Sequence, residues 1–423
     1  MAGRFLSTVD RTIFGMAPLA PNGLYDITGF QMTNLPQLIT RQADLVTFCD
    51  AIKGAPYVAV DTEFLRESTF WAKLCLVQAA TPDHAAAIDP LADGIDLQPL
   101  LNILAQPKTI KVFHAARQDI EIFVSLMGKP PEPVFDTQIA AMVCGFGNSI
   151  GYDKLVAAVA RQTVDKGPRF TNWADRPLSD SQIEYALSDV THLCVVYERL
   201  QAMLEARGRT SWVAEEQRAL VAPETYDVDP ENAWRRLKTR TDKPKFLSVL
   251  RAVAAWRDRE AMRRNQPRNW VMRDDVLLNV AATAPKDEDS LARCRGLSKG
   301  IAGSRAGKEL IDLIREAAAL PASAAPAPVE RRRADPELTA TVELLKVLLK
   351  RAAEEHGVAQ RLIANAEDLE AIAAGDPTPA MSGWRFDVFG ADAKRLTEGK
   401  LALAVSGKRV LVFPVDPDQA AAD

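Results

Sequence analysis

YVAVDTEF, residues 57–64, decides the fold. Tyr57, Val58, Ala59 and Val60 make an apolar run of the length of a buried strand. Asp61 and Glu63 follow at its end, two residues apart. Side chains at i and i+2 of a strand point to the same face, so two carboxylates stand side by side at the end of a core strand. Like charges that close repel, and a purely structural strand has no use for them. Something positive must hold them there.

The surrounding pattern extends this strand into a sheet. Residues 57–63, 73–80 and 84–89 read as three short strands. Their connections, through Arg66-Glu67-Ser68-Thr69 and Thr81-Pro82-Asp83, are short enough for an antiparallel meander. Leu97 to Leu104 reads as a helix, TIKVFHA (109–115) as a strand, ARQDIEIFVSLMG as a helix stopped by Gly128, and PVFD as a strand ending at Asp136. A helix over 179–206 follows. Three strands, then strand–helix–strand–helix, predict an α/β layer with a mixed sheet, the order of ribonuclease H-like folds. From about residue 209 only helical periodicity is expected. FLSVLRAVAAWRDREAMRR (246–264) carries Leu247, Leu250, Val253, Ala254 and Met262 as a helix-spaced stripe.

Composition narrows the class. The chain has 423 residues, 47% hydrophobic and 26% charged, with a net charge of -4, as in a soluble protein of about two to four domains. Its five cysteines, Cys49, Cys75, Cys144, Cys194 and Cys294, form no CxxC pair. That argues against a disulfide framework or a zinc site. No apolar run approaches the ~18 residues of a membrane span. Residues 1–34 lack a continuous apolar stretch, which argues against a secretory leader; they read as a poorly ordered extension, with Met32 an alternative start. Residues 232–316 hold 20 Lys+Arg against 11 Asp+Glu, a local +9, which leaves -13 for the rest of the chain. A basic module on an acidic body is a footprint of polyanion binding, although a solvated helical surface gives the same count.

Two further acids complete the set. Asp119 falls in the first turn of the helix after His114-Ala115, where helix capping alone would also place an acid. Asp189 lies in QIEYALSDVTHL four residues after Tyr185, on the same helix face. Asp61, Glu63, Asp119 and Asp189 all sit at the ends or edges of apolar elements. A carboxylate cluster of this kind suits hard divalent cations, Mg²⁺ or Mn²⁺, which take oxygen ligands. Two such ions per site stabilise the attacking and leaving oxygens of a phosphoryl displacement. Cations would then hold Asp61 and Glu63 together, and Tyr185 would orient or help activate the attacking water.

VAVDTEF, FHAARQDIEIF and YALSDV resemble the three motifs of the DEDD 3′-to-5′ exonucleases, in order and about 60 and about 70 residues apart. Position 184 is Glu184, not the histidine of the HxxxxD branch, so the tyrosine branch is indicated. Over residues 37 to 415 the chain is similar to the ribonuclease D family. DTEFLREST, KLCLVQ, FDTQIAA and NWADRPLSDSQIEYALSDV resemble its exonuclease domain, expected over 35–208. LRAVAAWRDREAMRRNQPRNWVMRDDVLLNVA and CRGLSKGI resemble its first HRDC domain, expected over 209–320. After an Ala/Pro-rich linker at 321–337, RLIANAEDLEAIA and GWRFDVFG resemble its second, over 338–423. The resemblance implies two all-α HRDC-like domains behind the ribonuclease H-like one. It implies that Asp61 bridges two metals, that Glu63 and Asp189 complete one site and that Asp119 serves the other. It implies a cytoplasmic, monomeric exoribonuclease acting on tRNA precursors with 3′ extensions, with no membrane partner. KGPRFTNWADRP (166–177) departs from the family pattern at Arg169, Thr171 and Asn172.

The same carboxylates would serve a DNA exonuclease of the proofreading or repair type, and HRDC modules do not discriminate. A catalytically inactive RNA-binding protein is the other alternative; loss of a carboxylate would signal it, and all four are present. His114 reads as a core or hydrogen-bonding residue. Phe64, Phe70 and Trp71 suit base stacking or core packing equally. Lys73 could meet a phosphate, and Asp136 could support the carboxylates from behind. Arg295-Gly296-Leu297-Ser298 reads as a helix-joining turn with N–H groups open to a phosphate, or as a simple glycine cap.

Overall fold

The computed structural model describes residues 37–165, 167–297, 299–328 and 335–415. The expected N-terminal extension, Ser298 of the helix-joining turn and the middle of the 321–337 linker lie outside them. Six strands form the sheet: β1 (Leu38–Ile39), β2 (Tyr57–Leu65), β3 (Lys73–Ala80), β4 (Ala85–Ile88), β5 (Ile110–Phe113) and β6 (Val134–Asp136). Their order is β1-β4-β3-β2-β5-β6. The meander β2-β3-β4 is antiparallel, and β1, β5 and β6 join it in parallel, so the sheet is mixed. β1, only two residues long, carries no readable period.

β2 lies inside the sheet with both faces covered, which explains why its apolar run is continuous. Tyr57 and Ala59 pack with Val190, Leu193 and Tyr197 on one face. Val58 and Val60 pack with Phe48, Phe113, Ile120 and Phe123 on the other. The helices of this domain are α1 (Gln42–Ile52), α2 (Gln98–Leu104), α3 (Arg117–Met127), α4 (Thr137–Val143), α5 (Tyr152–Leu155), α6 (Asp180–Ala206) and α7 (Thr210–Val221). α3 ends at Gly128, in the left-handed region at φ 73°, where a residue without a Cβ is at ease. α6 starts cleanly because Ser179 and Gln182 form a capping box. α7 packs on α4 and β6.

The first helical module is built on α8 (Pro244–Arg264), packed by Arg305–Ala319, Asp274–Thr283 and the turn Pro230–Arg236. Leu247, Leu250, Val253 and Ala254 of the expected stripe are buried there. Phe70, from the connection between β2 and β3, is buried in this same core. Asn265, ending α8 at φ 47°, accepts from the backbone N–H groups of Phe70 at 3.1 Å and Trp71 at 3.0 Å.

The second module packs Leu345, Leu348 and Leu349 of Thr339–His356 into one core with Ala141, Val143 and Val213. Here the expectation of helix alone beyond residue 209 fails. β7 (Leu401–Ser406) and β8 (Arg409–Pro414) form an antiparallel hairpin. The Ala/Leu content of LALAVSGKRVLVF suits a helix, but Gly407, at φ 60°, turns the chain between Ser406 and Arg409. Val405 then pairs with Val410, and Leu403 with Val412, across the turn.

Candidate active site

Ligand oxygens of Asp61, Glu63 and Asp189 lie within 4.8 Å of one another. Strand alternation places the first two, and α6 crosses the same sheet face to bring the third. The β2–β3 register shifts between Glu63 and Phe64, a bulge just past the carboxylates after which pairing resumes at Phe64 and Leu65.

Asp119 arrives from another direction. The chain leaves β5 through Ala115, held in the left-handed region at φ 59°. The Asp136 carboxylate pins that turn: it accepts from the N–H groups of Ala115 at 3.1 Å, Ala116 at 2.9 Å and Gln138 at 2.8 Å. α3 thus starts at a fixed point and buries Asp119 beneath Thr62, whose hydroxyl donates to Asp119 Oδ1 at 2.5 Å. Asp136 is therefore an anchor of the turn and the N-cap of α4, set behind the carboxylates.

The cluster is strongly electronegative. Burial raises all four acids. Asp61 is pushed up to about 6. Burial, Asp61, Asp189 and Asp119 push Glu63 up to about 9. Burial and Asp61 push Asp189 up to about 8, and the same two causes hold Asp119 well above the usual carboxylate range. Among the described residues, none of the four forms a salt bridge with a lysine or arginine. Asp189 Oδ1 is buried without a hydrogen-bond partner. Gln78, wholly buried and opposite Asp61 in the β2–β3 register, has neither side-chain polar atom hydrogen-bonded. Close-set carboxylate oxygens, one of them orphaned, with no described lysine or arginine in salt-bridge contact, fit a divalent cation.

Tyr185 stands one turn before Asp189. Burial, the charge of Asp189 and hydrogen bonding to that carboxylate push its phenol well above the ordinary value. It remains a donor at neutral pH. Beneath it lies Trp173, 2% exposed, with ring centroids 6.1 Å apart. Trp173 is held by Arg176, which bonds its carbonyl at 2.8 Å, the Cys75 carbonyl at 2.7 Å and the buried Asp89 carboxylate at 2.6 Å. The Tyr152 hydroxyl donates to the Asp189 carbonyl.

Other expectations resolve as follows. His114 is half-buried and hydrogen-bonded: Thr137 Oγ1 donates to the Phe113 carbonyl at 2.9 Å and accepts from His114 Nδ1 at 3.0 Å. Phe70 is core, with Trp71 packed beside it; Phe64 is half-buried and Lys73 exposed. Thr171 accepts from Gln182 Nε2 at 3.0 Å, and Asn172 donates to Asp175 at 2.8 Å, so both build the loop itself. Gly296 takes φ 85°, and a Cβ there would meet Val276 Cγ2 at 2.7 Å. The sequence reading missed Thr62, Gln78, Tyr152 and the Arg176–Asp89 pair. Only Gln78 left a signal, as a polar residue in an otherwise apolar strand facing Asp61.

The sheet, the helices over it and the carboxylate cluster define a nuclease of the 3′-5′ exonuclease class, joined to an HRDC domain. A family model described as 3′-5′ exonuclease matches residues 36–205, and an HRDC domain model matches 246–314. The chain is 48% identical over 378 residues to ribonuclease D of Granulibacter bethesdensis, covering 89% of this chain and 96% of that protein. It is 48% identical over 376 residues to ribonuclease D of Nitrobacter hamburgensis, covering 88% and 98%. The structure of Escherichia coli RNase D, described as an exoribonuclease involved in structured RNA processing, matches with a TM-score of 0.74 at 32% identity, covering 86% of this chain and 98% of that one. The chain belongs to the ribonuclease D family and is a phosphodiester hydrolase. No described helix is long and apolar enough to cross a membrane.

Proposed function

We propose that the protein is a 3′-to-5′ exoribonuclease that releases 5′-mononucleotides, using two divalent cations, Mg²⁺ or Mn²⁺, and trimming the 3′ ends of tRNA precursors. The observation that carries this is the cluster of Asp61, Glu63 and Asp189 within 4.8 Å, with Tyr185 one turn from Asp189. Asp61, Glu63 and Asp189 would hold one cation; Asp61 and Asp119 would serve the second. When bound, the cations neutralise the carboxylates and withdraw charge from the reacting phosphate.

The chain's own groups do the rest. Thr62 fixes the Asp119 carboxylate, and Asp136 fixes the turn that carries it. The Tyr185 phenol stays protonated and orients the attacking water. Water oxygen attacks the terminal phosphodiester, the 3′ oxygen of the preceding nucleotide leaves, and the shortened chain keeps a 3′-hydroxyl. RNA as the substrate is supported by the relatives' names, and tRNA precursors by the family resemblance. A cytoplasmic monomer completes the reading.

The test is timed digestion of matched RNA and DNA oligonucleotides labelled at the 5′ end, with each metal. A descending ladder on RNA is expected, and Asp61→Asn should abolish it without unfolding the protein. A ladder on DNA alone would make this a DNA exonuclease; binding without shortening would make it an inactive RNA-binding protein.

A further inference from the structure

Gly167–Phe170 is a short 3-10 turn packed on α6, inside the stretch where the chain departs from the family pattern. The residues after it are tied down through Trp173, Arg176 and the Thr171–Gln182 bond. Phe170 is not. It is 87% exposed, the most exposed large hydrophobic side chain among the described residues. The Arg169 guanidinium lies 5.6 Å from its ring centroid. Arg169 is also near enough to the carboxylates for its charge to act on both Glu63 and Asp189. An aromatic ring in water next to an arginine, at the rim of an acidic site, contributes little buried area to the fold.

We propose that Arg169 and Phe170 form a substrate clamp at the mouth of the carboxylate site. The Phe170 ring stacks on a base near the 3′ end of a single-stranded RNA, and the Arg169 guanidinium pairs with a backbone phosphate beside it. This rests on the exoribonuclease reading above. An aromatic face stacks on any of the four bases, which suits an enzyme that must accept each new end. The planar guanidinium matches phosphate oxygens in two-point contact. It also supplies positive charge where the carboxylates alone would repel a polyanion. The anchored Trp173–Arg176 stretch fixes the base of the turn, so the clamp keeps its place relative to Tyr185.

The test uses the full chain with Phe170→Ala, Phe170→Trp and Arg169→Gln. Because Phe170 is exposed, these variants should melt like the wild type. Substrates are single-stranded RNA and a series with a base removed at each of the last three positions in turn. Phe170→Ala should raise KM by about 5- to 150-fold, the range of base–aromatic stacking, with a smaller fall in kcat. Phe170→Trp should restore it. On the RNA lacking the stacked base, the wild type should lose the same factor, and Phe170→Ala should lose nothing more. Arg169→Gln should flatten the salt dependence of KM by about 0.7 in log–log slope, the value of one single-strand phosphate contact. Wild-type KM in Phe170→Ala, or a penalty that persists undiminished on every base-deleted RNA, would overturn the clamp. Failure of the wild type to shorten any RNA would instead remove the exoribonuclease reading beneath it.

Discussion

The Thr62 hydroxyl donates to Asp119 Oδ1 across 2.5 Å. It links the motif on β2 to the motif on α3 through the face of the strand opposite Asp61 and Glu63. This bond lowers the pKa of an acid that burial and Asp61 raise, so it favours the ionised form a cation needs. Thr62→Val keeps the shape and removes the donor. Since a hydrogen bond to a charged group is worth about 1.5–3 kcal/mol, the single-turnover rate should fall roughly ten-fold or more, with Mg²⁺ binding weakened. Thr62→Ser should retain most of both. Equal rates for Thr62→Val and wild type would show that Asp119 needs no help.

Tyr185→Phe removes only a hydroxyl; the ring still packs on Trp173. A water-orienting group contributes about 10²–10⁴-fold, and a loss in that range is expected at saturating metal. Because the phenol is held well above its ordinary pKa, it does not titrate near neutrality. The pH profile of the variant should therefore keep the shape of the wild type. A lost limb in that profile would make Tyr185 a base instead.

The strand and the three motifs were legible for a physical reason: β2 is buried on both faces, so its apolar run is unbroken until Asp61. Strand alternation alone put Asp61 and Glu63 together. The Thr62–Asp119 contact was not legible, since Thr62 points away from its charged neighbours and its partner is 57 residues on. The hairpin at 401–414 hid behind residues that also suit helices. The local +9 of the helical module was read correctly as composition but not as surface. Arg268 is half-buried against Asp258, which is 0% exposed, at 2.9 Å, and Arg236, itself exposed, is tied to the same carboxylate at 2.7 Å. Arg257 is 3% exposed and bonds Asp274 at 2.5 Å. Its salt-dependent grip on RNA should be correspondingly smaller than the charge count suggests.

Glu63 at about 9, Asp189 at about 8 and Asp61 at about 6 all lie above their unfolded values near 4. A raised acid favours the fold while protonated. That contribution is complete below about pH 4 and is lost as pH climbs through 6 to 9. Without metal, wild type should therefore lose stability relative to Glu63→Gln as pH rises, with the two alike at pH 4. Mg²⁺ should raise the melting temperature of the wild type, and by more at pH 9 than at pH 5, since ligands must be deprotonated. Melting scans with chelator or MgCl₂ at several pH values check this. A metal effect that shrinks with rising pH would contradict the cluster as the binding site.

Phe70 belongs to the nuclease domain by sequence and to the HRDC core by packing. It is 5% exposed, its N–H is held by Asn265, and the Arg268 guanidinium lies 4.5 Å from its ring centroid. Arg268 in turn bonds the buried Asp258. The connection that leaves β2 is thus plugged into the helical module. Two outcomes follow. Phe70→Ala should cost about 3–5 kcal/mol, as for a buried Phe emptied to a cavity, seen as a lower denaturant midpoint of the HRDC module. A chain ending at Ala222 would keep Asp61, Glu63, Asp119, Tyr185 and Asp189 but leave bare both Phe70 and the Ala141, Val143 and Val213 surface that the second module covers; it should aggregate. An unchanged midpoint in Phe70→Ala, together with a soluble truncated chain, would show that the two domains fold without each other.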